Sequence, residues 1–415
     1  DTIMVSVAGE AAVSGVSLVD TVNVLLINIF SALATGGAVV AGHFLGKKKQ
    51  GDACRAAWQI LLFATLLAFV ITVVFLTAHD PLLHLMFGQI EPDVMQACKT
   101  YLIITAYSFV ALAVYNSCAA LFRAMNNAKV TMWVSLLMNA INVVGNAICI
   151  FGLHMGVAGV AIPTTVSRYV AAIVILALMF NKNKVINLCG QVRLKFDRKL
   201  IGKILYIAVP NGMENSMFQL GKILVISAVS TMGTAAIAAN AVANTLANWD
   251  ILPGIAINLA IVSVVSVCVG AGRYDQARYY TKKLCKIALI GVTAISAAIY
   301  FAVPTIVKFY SLGPEASQMA VEVMRFHAVM AILIWVPSFS IPNTLRAAGD
   351  VVWPMGISIA SMWLFRVVAA YVFTYVFHFG LLAIWVAMII DWAFRAICYI
   401  IRYKGHKWET FGQRT

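Results

Sequence analysis

The chain has 415 residues and a formal net charge of +14; 62% of it is hydrophobic and only 11% is Asp, Glu, Lys or Arg. A globular domain carries roughly 25% charged residues, so this chain has too few polar groups to cover itself in water. Soluble enzymes, nucleic-acid-binding proteins and disordered scaffolds are excluded. Uncharged runs lie between Lys99 and Arg123, Lys129 and His154, Lys286 and Lys308, and Arg366 and Asp391. Each is long enough to cross a ~30 Å hydrocarbon core as a helix, which takes about 20 residues.

Taken in order, the chain opens on Asp1; no signal peptide is expected before it, and it is expected to begin in the trailing half of helix 1, ending near Val7. Helices 2 to 6 are expected at about 16–45, 55–78, 97–122, 130–153 and 157–181. A polar stretch from Asn181 to Lys199 breaks the hydropathy. Six more spans follow at about 203–229, 236–270, 284–307, 317–345, 353–377 and 380–402. The expected fold is an all-α integral membrane protein of 12 transmembrane helices with helix 1 truncated. Its domains are an N-terminal lobe over 1–190, a cytoplasmic linker over 191–202, a C-terminal lobe over 203–402 and a tail over 403–415.

Charge alternates along these connections. Lys47-Lys48-Lys49, Arg123 with Lys129, Lys182 to Lys203, Arg273 to Lys286, Arg346 and the tail from Arg402 form basic clusters, whereas Asp80, Glu91, Asp93 and Glu315 mark the intervening loops. The positive-inside rule puts the basic loops and both termini in the cytoplasm. The basic balance is therefore topology and contact with anionic lipid, not a nucleic-acid footprint. The eight cysteines show no CxxC spacing and sit mostly in apolar segments, as buried free thiols do.

The two halves repeat. Gly9 to Gly15 aligns with Gly233 to Ala239, and the same shift places Gly46 on Gly270 and Gly156 on Gly380. With a one-residue gap, Asp52 to Arg55 falls on Asp275 to Arg278, and Arg123-Ala124 on Arg346-Ala347. Repeats of six helices insert with one orientation. That implies two pseudo-symmetric six-helix bundles, related by an axis along the membrane normal, with a substrate cleft between them.

Several segments resemble the MATE (multidrug and toxic compound extrusion) transporters. They are Asp1 to Ser6 with Gly9, Ala41 to Gly46 leading to Gly51-Asp52, Asn142 to Asn146 with Ile150-Phe151-Gly152, and Gly156 to Gly159 through Thr164 and Ser167-Arg168. Pro210 to Gly221 and Arg346 to Asp350 carry the resemblance through the second half. It implies a bacterial-type secondary antiporter of the inner membrane, without cofactor, exporting small cationic or amphipathic organic compounds in exchange for H⁺ or Na⁺. A monomer is expected. One position departs from the family, which often has an acid where this chain has Asn146.

Polar residues within spans mark the candidate sites. Asn139, Asn142 and Asn146 share one face of helix 5 by their spacing. The resemblance implies that Asp1, Asn142, Asn146 and Thr164 form a cation-responsive site, able to hold a proton on Asp1 or a Na⁺ ion. Asparagine at 146 removes one formal charge and favours the proton. Asn211, Asn215, Gln219 and Lys222 draw a polar stripe on helix 7 with Glu214 beside it; these residues, with Asp20 and Asp250, are expected either to line the cleft or, for Glu214, to form an ion pair with Lys222 or a cation on another helix. Asp391 and Arg366 are expected to pair, and Arg168 to make a similar structural contact. Mid-membrane acids outnumber bases, which suits cationic cargo. Two alternatives are a lipid-linked precursor flippase of the same superfamily and a membrane enzyme acting on lipid; the second lacks any GxSxG, HExxH or Walker loop to carry it.

Overall fold

The computed structural model describes residues 2–5, 9–88, 90–192, 194–310 and 312–412, and among them there are helices and no strands. The chain divides into two compact units, Asp1–Gly212 and Met213–Thr415.

The N-terminal unit holds α1 (Thr2–Val5), α2 (Glu10–Gly46), α3 (Gln50–Thr77), α4 (His79–Phe87), α5 (Pro92–Ala106), α6 (Phe109–Ala124), α7 (Ala128–Gly152) and α8 (Ala158–Met179). α5 and α6 are arms of one broken helix, bent by 50°. At the break the Ser108 hydroxyl donates to the Thr105 carbonyl at 2.6 Å, occupying an acceptor near the break. The core gathers Val16, Val19, Leu83, Tyr101, Leu102, Ile150 and Val160.

The unit boundary falls inside α9 (Arg198–Ser230) rather than before it. The polar stretch ahead of α9 is not a free tether. Gln50 donates to the Val185 carbonyl at 2.7 Å, and Gln59 donates to Lys195 O at 2.9 Å while accepting from the Asp197 amide at 3.0 Å. The backbone at Val185, Lys195 and Asp197 is thereby fastened to α3, and the start of α9 belongs with the first unit.

The C-terminal unit continues with α10 (Thr234–Asp250), α11 (Leu252–Gly270), α12 (Tyr274–Tyr310), α13 (Pro314–Ala347), α14 (Val352–Tyr375), α15 (Leu381–Lys404) and a short α16 (Glu409–Gly412). Turns of π-helix interrupt α13 at Ala331–Trp335 and α14 at Met362–Val368. The tail after α15 packs back: Trp408 is fully buried, stacks on Tyr403 at 5.8 Å and donates its indole N–H to Tyr403 O at 3.0 Å.

Nine helices among the described residues are long and apolar enough to cross a membrane, or ten if α5 and α6 form one span. α10 is only 17 residues long; in α9 the polar stripe of Asn211, Glu214, Asn215 and Gln219 dilutes the apolar run. Large apolar side chains such as Phe69, Trp133, Ile290 and Phe301 are exposed on these helices. In lipid that is the satisfied state, and packing between helices rests on van der Waals fit and interhelical hydrogen bonds. The protein is a multi-pass membrane protein.

The repeat reaches the backbone torsions. Gly9 (φ 101°, ψ 169°) and Gly233 (φ 95°, ψ 170°) each precede the first residue of a helix, in a conformation open only to glycine. His154 and His378, separated by the same 224 positions as the two glycines, both adopt φ 51°. Positive φ is uncommon outside glycine, so two histidines sharing it at equivalent positions mark one fold used twice.

Candidate functional site

In the N-terminal unit, α7 and α8 bring three of the four predicted coupling residues together. Asn146 donates to Asn142 Oδ1 at 3.3 Å, Asn142 donates to Thr164 Oγ1 at 2.9 Å, and Thr164 donates to the Val160 carbonyl at 2.8 Å. Asn146 and Thr164 are buried and Asn142 is half-buried. The close approach of the helices has a local cause. A Cβ on Gly145 would lie 2.7 Å from the Pro163 ring, so glycine at 145 is what admits the proline beside Thr164. Asn139 is exposed and makes no hydrogen bond with this chain of donors. Asp1, the fourth predicted member, lies outside the described residues.

Asp20 sits in a different set. Its carboxylate accepts from the Tyr101 hydroxyl at 3.0 Å and from Asn23 Nδ2 at 3.3 Å. Arg168 donates to the Ser108 hydroxyl at 2.8 Å, so it steadies the break between α5 and α6.

The C-terminal unit pairs its acids. Arg346 Nη2 reaches both oxygens of Glu214, at 2.7 and 2.6 Å, and Arg346 Nη1 holds Asn343 at 3.0 Å. Glu214 is thus an ion-pair partner, with a cation on another helix. Asp250 is fully buried, accepts a short hydrogen bond from Ser296, and lies 3.0 Å from His327 Nδ1. The His327 ring is held edge-on between Trp385 and Trp392, with centroids 5.4 and 5.5 Å away. Asp391 accepts from Arg395 at 2.8 Å and from Ser361.

This corrects the expected Asp391–Arg366 pair. Arg395 stands one helical turn from Asp391 on α15 and takes its carboxylate, while Arg366 donates to the Met362 sulfur at 3.6 Å. Neither Lys222 nor Arg366 has a carboxylate within 4 Å among the described residues. Asn211, Asn215 and Gln219 are half-buried on α9 without side-chain hydrogen bonds among those residues. The acids counted toward cationic cargo are largely committed: Glu214, Asp250 and Asp391 each already face a basic side chain.

One feature was not anticipated. A cavity of about 360 Å³ opens between α9, α10, α14 and α15, lined by Lys222, Arg366, Trp385 and the asparagines 240, 244 and 248. The signal was present in the four-residue spacing of the asparagines, which puts them on one face of α10.

A family model described as MatE matches residues 1–148 and 210–372. The chain is 28% identical over 417 aligned residues to the uncharacterized transporter YisQ of Bacillus subtilis, covering 98% of this chain and 90% of that one. It is 23% identical to the probable multidrug resistance protein NorM of Thermotoga maritima, covering 96% and 86%. An outward-facing structure of a multidrug resistance MATE family transporter superposes with a TM-score of 0.90 at 20% identity, over 99% of this chain and 91% of that chain.

Proposed function

We propose that this chain, which belongs to the MatE family of transporters, is a multidrug efflux protein that expels small organic compounds in exchange for protons. Names given to relatives support the efflux half of that reading. The observation that carries the coupling half is the buried run of donors from Asn146 through Asn142 to Thr164. Amides and a hydroxyl inside a span are costly unless they serve each other or an ion. Together with Asp1 they offer oxygens for Na⁺ or hydrogen bonds for a protonated carboxyl, and with asparagine at 146 the set has one charge fewer to hold a monovalent metal ion. Loading this site would favour one transport state and emptying it the other.

The test is dye efflux from proteoliposomes under separately imposed proton and sodium gradients. Efflux is expected under the proton gradient, and efflux under sodium alone would replace the coupling ion. Asp1→Asn is expected to abolish gradient-driven export while dye binding persists; normal proton-driven export by that variant would move the coupling site to the other unit. For topology, the reading puts both termini in the cytoplasm, so a cysteine introduced near Gln413 resists impermeant reagents added to intact cells. Rescue of cell-wall lipid traffic without drug tolerance in an efflux-deficient host would favour the flippase alternative.

A further inference from the structure

The cavity of the C-terminal unit has cations in its wall and no carboxylate. Lys222 comes from α9 and Arg366 from the π-helical stretch of α14, and the remaining polar lining is neutral: Ser230, Asn240, Asn244 and Asn248, with Trp385 beside them. Arg366 is buried, only 7% exposed. A lone buried guanidinium inside a membrane protein is costly and normally finds an acid.

The nearby acids are held first by other groups, with the second oxygen of Asp391 left without a hydrogen-bond donor among the described residues. Asp391 is held by Arg395 and Ser361, Glu214 by Arg346, and Asp250 faces His327 and Ser296. Besides the charge of Asp391, which Arg395 holds directly, the compensation is aromatic. Lys222 Nζ lies 5.4 Å from the centre of the Phe218 ring, and the guanidinium carbons of Arg366 and Arg395 lie 5.2 and 5.7 Å from it. A ring quadrupole offsets only part of one charge. Of the three cations around this ring, Arg395 is answered by Asp391, and Lys222 and Arg366 leave a positive surplus in the cavity wall. The π-helical turn that carries Arg366 is itself a geometry found often at functional sites.

We propose that this cavity binds the anionic group of a small amphipathic organic compound, a carboxylate, sulfonate or phosphate, clamped by Lys222 and Arg366. A guanidinium offers two parallel N–H donors to such a group, the lysine adds a point charge, and the asparagine amides supply neutral donors. Trp385, with Ile384 and Met388 on the same helix, receives the apolar body. The volume matches a drug-sized ligand. Treating that ligand as exported cargo rests on the efflux reading above; the binding itself does not. A soluble cargo anion and the phosphate of an anionic lipid share this chemistry.

The experiment measures binding without any gradient, using purified protein in nanodiscs of zwitterionic lipid. Two probes share one fluorophore: dansylglycine, an anion, and dansylcholine, a cation. Dansylglycine is expected to bind at least about tenfold tighter. Lys222→Gln is expected to weaken dansylglycine about tenfold without weakening dansylcholine, and Lys222→Glu to invert the preference. If Arg366→Gln fails to fold, Asn244→Asp on the facing wall gives the same reversal from an exposed position. Equal binding of the two probes, or dansylglycine binding unchanged by Lys222→Gln, overturns the proposal. Repeating the titration with phosphatidylglycerol in the nanodisc separates the sources: competition assigns the site to lipid phosphate, and its absence assigns it to soluble anions. Lost dye efflux with the anion preference intact removes only the exporter reading. Intact efflux with no anion preference removes only this site.

Discussion

Where α7 meets α8 around Thr164, the N-terminal unit handles buried polarity with neutral groups: two amides and a hydroxyl passing hydrogen bonds from one to the next. The C-terminal unit, built on the same repeat, uses full charges, with Glu214, Asp250 and Asp391 each set against a base and two bases left over in the cavity wall. The backbone was copied and the chemistry was not. A neutral run can be rearranged by one proton or one ion at modest electrostatic cost, which suits a coupling site. Opposed charges in low dielectric resist rearrangement, which suits a rigid frame around a binding cavity. The variants that follow strain that contrast, from the largest expected effect to the smallest.

Breaking a charge pair in the C-terminal unit has the largest effect. Glu214→Gln leaves Arg346 facing a neutral amide in a largely buried position. Removing one partner of such a pair costs about 3 kcal/mol, so thermal stability of the solubilised protein falls and monodisperse yield drops. Adding Arg346→Met removes the stranded charge and is expected to recover most of the loss. A Glu214→Gln protein with unchanged melting but lost dye binding would make Glu214 a ligand-binding residue and remove the frame role from the comparison.

Gly145→Ala probes the neutral side through packing. The new methyl would meet the Pro163 ring at 2.7 Å, and overpacking of this kind costs about 1–3 kcal/mol. α7 and α8 must separate, which lengthens the Asn142–Thr164 bond. Proton-driven efflux is expected to fall further than stability does. Efflux retained in full, with the same melting loss, would detach the amide run from coupling.

Much of this was legible in the residues. Hydropathy locates spans because a bilayer admits only long apolar helices, and the repeat shows because a left-handed residue before a helix selects glycine at both Gly9 and Gly233. The asparagine face of α7 follows from helical period alone. Pairing was harder to read. Glu214 meets Arg346 across 132 positions, and nothing in local sequence announces a partner that distant. Arg366 and Asp391 were matched by charge and span, but the π-helical turn at Met362–Val368 resets which side chains of α14 share a face. No residue pattern forecast that turn. The fastening of Val185, Lys195 and Asp197 to α3 was equally hidden, because Gln50 and Gln59 make it through backbone groups, which any sequence would offer.

Thr164→Val is a smaller cut into the neutral run. Valine keeps the shape and removes the acceptor of the Asn142 amide. The bond accepted from Asn142 and the one donated to the Val160 carbonyl are both lost, at about 1 kcal/mol each, a shift of a few degrees in melting. Efflux driven by a proton gradient is nevertheless expected to drop at least about tenfold, since the run ends on this hydroxyl. If stability and efflux fall in proportion, Thr164 is a packing residue only.

The least effect is expected from an ion pair of the N-terminal unit, Asp80 with Lys99 at 2.6 Å. Its distance is as short as that of Glu214 and Arg346, but its carboxylate side chain is 50% exposed against 13% for Glu214. Water and salt screen such a pair, and long side chains lose entropy to form it. The hydrogen bond from Lys99 holds the Asp80 carboxyl below its ordinary range. A depressed carboxyl contributes whatever it contributes above its ordinary pKa and loses it only as pH falls through the lowered value. Melting of the parent protein and of Asp80→Asn should therefore be alike at neutral pH and stay alike down to the ordinary carboxylate range. A clear melting loss in Asp80→Asn at neutral pH, comparable to that of Glu214→Gln, would show that burial does not separate the two pairs, and the contrast between the units would then rest on the amide run alone.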